Sequence, residues 1–275
     1  MKLNYRLIIV LGIFIALFIY LFITAPPSLE SDLSVKKRFA INDIFKQLAA
    51  ENDVTRTLYT KAIVGAGLKQ GLKFDENWAM DDVHAGPLPA LLLRGISNSM
   101  SHSDIAIDLF LGSDFPIESS NKFKGIQAEK FEEMRLDKQA KFFYDEVSDK
   151  YIAMFPDYAS AMPCVTCHNN HKKSAKNDWE LNDIMGATTW AYPKDSLSTD
   201  EALKLLAEYR KGVKKTYEEY LKKFDIQTTG NPQIGDKWPS QGFFLPNYQT
   251  FSDSVGKLVS PVILAQYLKI VDDKK

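Results

Sequence analysis

Apolar residues are distributed along this chain in three ways. The first is an unbroken run, Leu7–Ala25 (LIIVLGIFIALFIYLFITA), preceded by Lys2 and Arg6 and followed by Pro26-Pro27. At about 1.5 Å per residue it is just long enough for a bilayer core of roughly 30 Å. It is longer than the apolar core of a signal peptide, Tyr20 sits inside it, and no small-residue cleavage pattern closes it. It therefore predicts an uncleaved transmembrane anchor over 1–25. With Lys2 and Arg6 on the cytoplasmic side, the body is expected outside, in a periplasm or equivalent space, on the inner (cytoplasmic) membrane. No later run reaches spanning length, since 259–271 is interrupted by Pro261, Gln266 and Lys269. Residues 26–34 (PPSLESDLS) read as a stalk.

The second distribution is helical. Phe39, Ile44, Phe45, Leu48, Leu58 and Val64 recur at helical spacing over 35–68, with Gly65, Gly67 and Gly71 expected to fray or end that helix. A shorter helix is predicted over 90–100. A long one is expected over 200–224, striped by Leu203, Leu206, Tyr209, Val213, Tyr217 and Leu221. A last helix is predicted over 252–271, after a Pro/Gly-rich loop at 225–248 that carries Trp238, Phe243, Phe244 and Tyr248. The third distribution is strand-like. It covers 105–111 (IAIDLFL), a hairpin of 139–144 and 150–155 around Ser148-Asp149, and 184–192. Helix, short strands in antiparallel order, then helix is an α+β arrangement rather than a parallel βαβ one.

Composition narrows the function classes. A hydrophobic content of 45% and a charged content of 25% are ordinary for a globular chain. A net charge of -1 lacks the basic footprint of nucleic-acid binding. With four His, and no Ser/His/Asp set, paired-carboxylate pattern or phosphate-cradling Gly loop in view, an enzyme is not the expectation.

Both cysteines of the chain fall in one motif, Cys164-Val165-Thr166-Cys167-His168, which is C-x-x-C-H, the attachment signature of a c-type haem. On a helical turn residues i and i+3 share a face, so both sulfurs reach the vinyl groups of one porphyrin as thioethers, and His168 falls where it ligates iron from the proximal side. Three other readings stand beside it. A thioredoxin-like dithiol wants a βαβ context, which is absent. A zinc site of Cys164, Cys167, His168 and His171 would crowd four ligands into eight residues. The bland reading is a chance occurrence in a surface loop.

The surroundings extend the motif. Residues 164–187 read CVTCHNNHKKSAKNDWELNDIMGA, with GPLPALLL at 86–93 and LFLGSDFPI at 109–117 upstream. In these the chain resembles the haem c-binding PAS-like domains long catalogued as a domain of unknown function. Members of that family occur as single-haem cyanobacterial proteins and as periplasmic input modules of cyclases, histidine kinases and chemoreceptors. The resemblance covers about 80–192 and implies a PAS-like antiparallel sheet with flanking helices and one covalent haem c at its edge. Some members take a sixth iron ligand from an N-terminal cysteine, and this chain has no third Cys. Sensor members continue into a second span and an output domain. The given chain shows neither, which tilts the expectation toward electron transfer.

The expected organisation is thus an anchor (1–25), a stalk (26–34), a PAS-like haem c domain (35–192) and a helical C-terminal extension (193–275). His84, in DDVHAGP, is the leading candidate for the distal ligand, against a solvated loop histidine. His102, Met80, Met100 and Met162 are weaker candidates, with surface or core roles as the alternative. His171 is expected near a haem propionate or solvent. Trp179, Trp190, Phe142, Phe143 and Tyr144 either wall the porphyrin or fill ordinary core. Lys172, Lys173 and Lys176 either guide an acidic partner or form a solvated face. The function expected is a membrane-anchored, periplasm-facing monohaem cytochrome that passes electrons to a redox partner, as an accessory subunit of a membrane complex. The alternative is a redox or gas sensor that takes a small gas ligand and signals through a separate protein.

Overall fold

The computed structural model describes residues 5–24, 38–105, 107–227, 238–239 and 245–272, without side chains at 6–8, 225–227 and 265–272. The expected stalk, and Phe243 and Phe244 of the aromatic loop, lie outside the described residues. The chain divides into two compact units, Met1–Lys37 and Arg38–Lys275. The first contains helix α1 (Tyr5–Ile23), whose side chains are described at Tyr5 and from Ile9 onward. Its large apolar residues there are exposed, from 45% at Ile9 to 81% at Phe22. Among the described residues alone, no helix is long and apolar enough to cross a membrane.

The second unit is α+β. Its main sheet has strands β4 (Asp108–Gly112), β5 (Lys141–Asp145), β6 (Lys150–Tyr158) and β7 (Ile184–Tyr192), in spatial order β4-β7-β6-β5 and antiparallel throughout. The expected hairpin is β5–β6, turning through Asp149 at φ 55°. Successive strand residues point to opposite faces, and both faces are apolar. Leu109, Phe142, Ala153, Phe155, Trp190 and Tyr192 join the large core beneath the helices. Phe110, Phe143, Ile152, Met154, Ala187 and Ala191 pack on the other side with Phe123 and with Phe131 and Met134 of α5 (Ile126–Asp137). Phe142 and Phe143, like Trp190, are therefore core residues of the sheet. Tyr144 lies against Tyr151.

The large core is closed by α2 (Ile41–Leu58), α4 (Pro89–Ser101), α7 (Thr199–Gln227) and α8 (Tyr248–Asp272). The residues expected as a C-terminal extension contribute to this same core. Tyr209 meets Trp190 edge-on at 6.0 Å, and Tyr217 stacks on Phe251 at 4.8 Å. The buried stripe of α7 runs through Ala202, Leu205, Leu206, Tyr209, Val213, Tyr217, Tyr220 and Phe224, while Leu203, expected in it, is 61% exposed.

Two further expectations change. Arg38–Ala40 is not helical but forms β1, paired with β8 (Ser196–Ser198), where the Arg38 side chain donates to Ser196 Oγ at 3.0 Å and to its carbonyl at 2.8 Å. Gly65 and Gly67 do not end the first long helix. It passes from α2 through a π-helical stretch, Tyr59–Gly65, into α3 (Ala66–Lys69), and stops at Gly71, whose φ of 88° suits a residue without a Cβ. Tyr59 donates to the Pro87 carbonyl at 2.7 Å. That bond ties the π turn to β3 (Gly86–Pro87), which pairs in parallel with β2 (Phe74–Asp75). The loop between β2 and β3, which carries His84, is thereby held at both ends.

The crossing of β4 and β7 is tight. A Cβ on Gly186 would lie 2.4 Å from the Gly112 carbonyl oxygen, a backbone atom that cannot step aside. Gly186→Ala is expected to cost about 1–3 kcal/mol, the range for overpacking, read as a lower midpoint in urea unfolding.

Candidate functional site

The C-x-x-C-H residues lie on a short helix, α6 (Met162–Asn170), which starts with Pro163 in its first turn and follows directly from β6. The chain before it is pinned. Ala159 N–H donates to the Asp183 carbonyl at 2.8 Å, and Asn182 N–H donates back to the Ala159 carbonyl at 3.0 Å. Only Val165 of α6 is buried, in a small cluster with Ala159 and Trp179, flanked by Phe115 and Met185. One turn on, Asn169 clamps the helix to the chain that returns beneath it. Its Nδ2 donates to the Trp179 carbonyl at 3.0 Å, and its Oδ1 accepts from Trp179 N–H at 2.9 Å.

With Val165 and Asn169 turned inward, helical spacing sends Cys164 and Cys167 to the outer face and places His168 between the two faces. Cys164 is half-buried, Cys167 is exposed, and both are free thiols. His168 is half-buried, and its Nδ1 is buried without a hydrogen-bond partner. Burial first, then the neighbouring His171, lowers the pKa of His168, with Asp157 opposing. The imidazole is thus biased toward the neutral, ligating form. Burial, then Glu76 and Cys164, push the Cys167 thiol up. The helix leaves from an antiparallel strand pair, β6 and β7, so the βαβ context that a thioredoxin-like dithiol wants is absent.

Among the described residues no group of three or more His, Cys, Asp and Glu is placed to hold a metal ion, so Cys164, Cys167, His168 and His171 do not assemble into a zinc site. Two accessible thiols one turn apart and a half-buried imidazole biased toward its neutral form do fit a haem c. Cys164 and Cys167 would hold it through thioethers and His168 would ligate its iron. In metal-ligating histidines the second ring nitrogen usually has a partner.

The other candidates scatter. His171 Nε2 lies 2.7 Å from Glu76 Oε1, tying the loop after α6 to the loop that carries His84. His84 is exposed on that loop, as is Met80, whose carbonyl accepts from Lys223 at 2.6 Å. His102 is exposed at the end of α4, with Nδ1 2.7 Å from the Asn98 carbonyl, and Met100 is fully buried in the large core. Met162 is exposed at the start of α6. Trp179 walls the inner side of α6 and carries Lys176 over its ring at 4.6 Å. Two of the three lysines already have acidic partners, Lys173 with Glu118 at 2.6 Å and Lys176 with Asp178, which leaves a weaker basic face than the sequence implies. Sequence reasoning missed Asn169 and Glu76. Asn169 sits next to the motif, but nothing local marks its partner, and Glu76 meets His171 only through the fold.

A family model described as Tll0287-like matches residues 37–193. No curated protein and no solved structure matches the chain.

Replacing Asn169 by Ala removes both side-chain bonds to Trp179. The variant is expected to lose about 1–3 kcal/mol in urea unfolding of the unloaded chain.

Proposed function

Because the chain belongs to the Tll0287-like family, the haem c-binding PAS-like domains of unknown function, we propose that it is a membrane-anchored, periplasm-facing monohaem c-type cytochrome that transfers electrons to a protein partner. The observation that carries this reading is the division of labour on α6. Val165 and Asn169 fasten the helix, while Cys164 and Cys167 stay free and accessible and His168 is kept neutral between them. When bound, haem c supplies a one-electron ferric–ferrous couple. Cys164 and Cys167 tether the group, and His168 holds the metal. Trp179 and Val165 keep water from the inner side of the ligating histidine. The anchor reading rests on the run Leu7–Ala25 with Lys2 and Arg6 before it, and on the exposed apolar side chains of α1.

A second reading, a redox or gas sensor, draws support from the placement of His84 and Met80 on an exposed loop. A residue on such a loop would hold the iron loosely and would yield readily to a diatomic gas. His84 is the residue we assign to that position, with His171 and Trp179 in the haem environment.

The purified protein is expected to keep its haem through acid-acetone extraction, and the Cys164→Ala/Cys167→Ala double variant to lose it. Loss from the wild type overturns the haem c assignment. CO added to the reduced protein separates the two functions. An unchanged spectrum marks a firm six-coordinate iron and electron transfer, and rapid binding marks a sensor.

Cell fractionation tests the anchor. The full chain should sediment with inner membranes, and a chain beginning at Val35, exported through an added cleavable signal, should be recovered soluble from the periplasm.

A further inference from the structure

Arg56 lies on α2 toward the sheet, 16% exposed, and grips Asp157 of β6, 26% exposed, with two hydrogen bonds of 3.0 and 3.1 Å. A third bond runs from the same guanidinium to Thr188 Oγ1 at 3.3 Å, and Arg56 Nε is buried without a partner. Stability alone does not account for such a pair. Removing two charges from water is costly, and apolar side chains of similar volume often do as well.

Its location suggests another purpose. The register of β6 against β7 shifts between Asp157 and Tyr158, the last residue of the strand, and α6 begins at Met162. Ala159, two residues after Asp157, is packed in one cluster with Val165. His168 follows Val165 by about one helical turn, so the ion pair sits on the strand end against which the His168-bearing helix packs. Asp157 is near enough for its charge to act on the His168 imidazole. Asp53, one turn before Arg56, adds a second carboxylate to the field at the same guanidinium.

We propose that Arg56 and Asp157 form an electrostatic pair behind His168 that sets the reduction potential of the haem. Asp157 is the positioning carboxylate and Arg56 the charge that offsets it. The inference rests on the haem c reading above. A carboxylate behind the ligating histidine favours ferric iron and lowers the potential, and a guanidinium beside it cancels that effect. The pair is weakly screened because it is largely shielded from water, so removing either partner exposes the other's full influence.

The test is a redox titration of the haem-loaded full-length protein in alkaline buffer, with the thermal midpoint of each variant measured alongside. Arg56→Met is expected to shift the midpoint potential down and Asp157→Asn to shift it up. The double variant should return close to wild type, and Arg56→Lys, which keeps the charge, should stay close to wild type. Should Arg56→Met fail to accumulate, Arg56→Gln makes the same charge change while still donating to Asp157, and the same downward shift is expected. Covalent haem with unmoved potentials, or single variants that shift in the same direction, overturns the proposal, since a loosened pocket acts on both alike. A wild-type chain that retains no covalent haem overturns the haem c reading and this proposal with it.

Discussion

The body of this protein depends on β6 and β7 being apolar on both faces. A strand exposes alternate residues to opposite sides, so one segment serves two cores only if nearly every position is apolar or small. In IMGATTWAY, Trp190 and Tyr192 face the helical core while Ala187 and Ala191 face α5. The small residues on the second face let Phe123, Phe131 and Met134 approach closely. Because both sides are packed, the register of these strands leaves no freedom to slip. The close approach of Gly186 to the Gly112 carbonyl is part of that constraint.

The site inherits its position from this register. Between Asp157 and Tyr158 the register shifts, β6 ends at Tyr158, and α6 begins four residues further on at Met162. The helix is lightly held, by Val165 and the Asn169 clamp, and it carries no large apolar anchor. So few inward contacts leave Cys167 exposed and Cys164 half-buried on the outer side of the helix. The charges around it are mostly matched within the chain. His171 meets Glu76, Lys173 meets Glu118, and Lys176 sits over Trp179 beside Asp178.

Much of the fold was legible in the sequence. The hairpin around Asp149, the strand at Ile184–Tyr192 and the long helix α7 follow from local periodicity and turn residues. α5 left no such trace. Among its residues only Phe131 and Met134 are buried, and Leu136 is 83% exposed, so its apolar positions carry no clean helical period. β1 and β8 are three residues each and exist through pairing with one another, which no local pattern announces. Gly65 and Gly67 read as a helix end, but packing carries the helix on to Gly71, where the backbone adopts the left-handed conformation that stops it.

By itself the sequence determined which side chains stand together on α6. Two thiols and an imidazole at C-x-x-C-H spacing need only one helical turn to share a face, and a helical turn is a local structure. The tertiary structure decided what lies behind and beside that turn. It placed Trp179 and Asn169 beneath it, Glu76 at His171, and Arg56 on Asp157 across 101 positions of sequence. It also took Met100, Trp190 and Phe142 into the core and left His84 in solvent. The physical reason is that contacts between residues far apart in the chain arise from the register of the sheet and the packing of the helices on it. Spacing along the chain encodes which residues share a face, and only the assembled layers determine what that face meets.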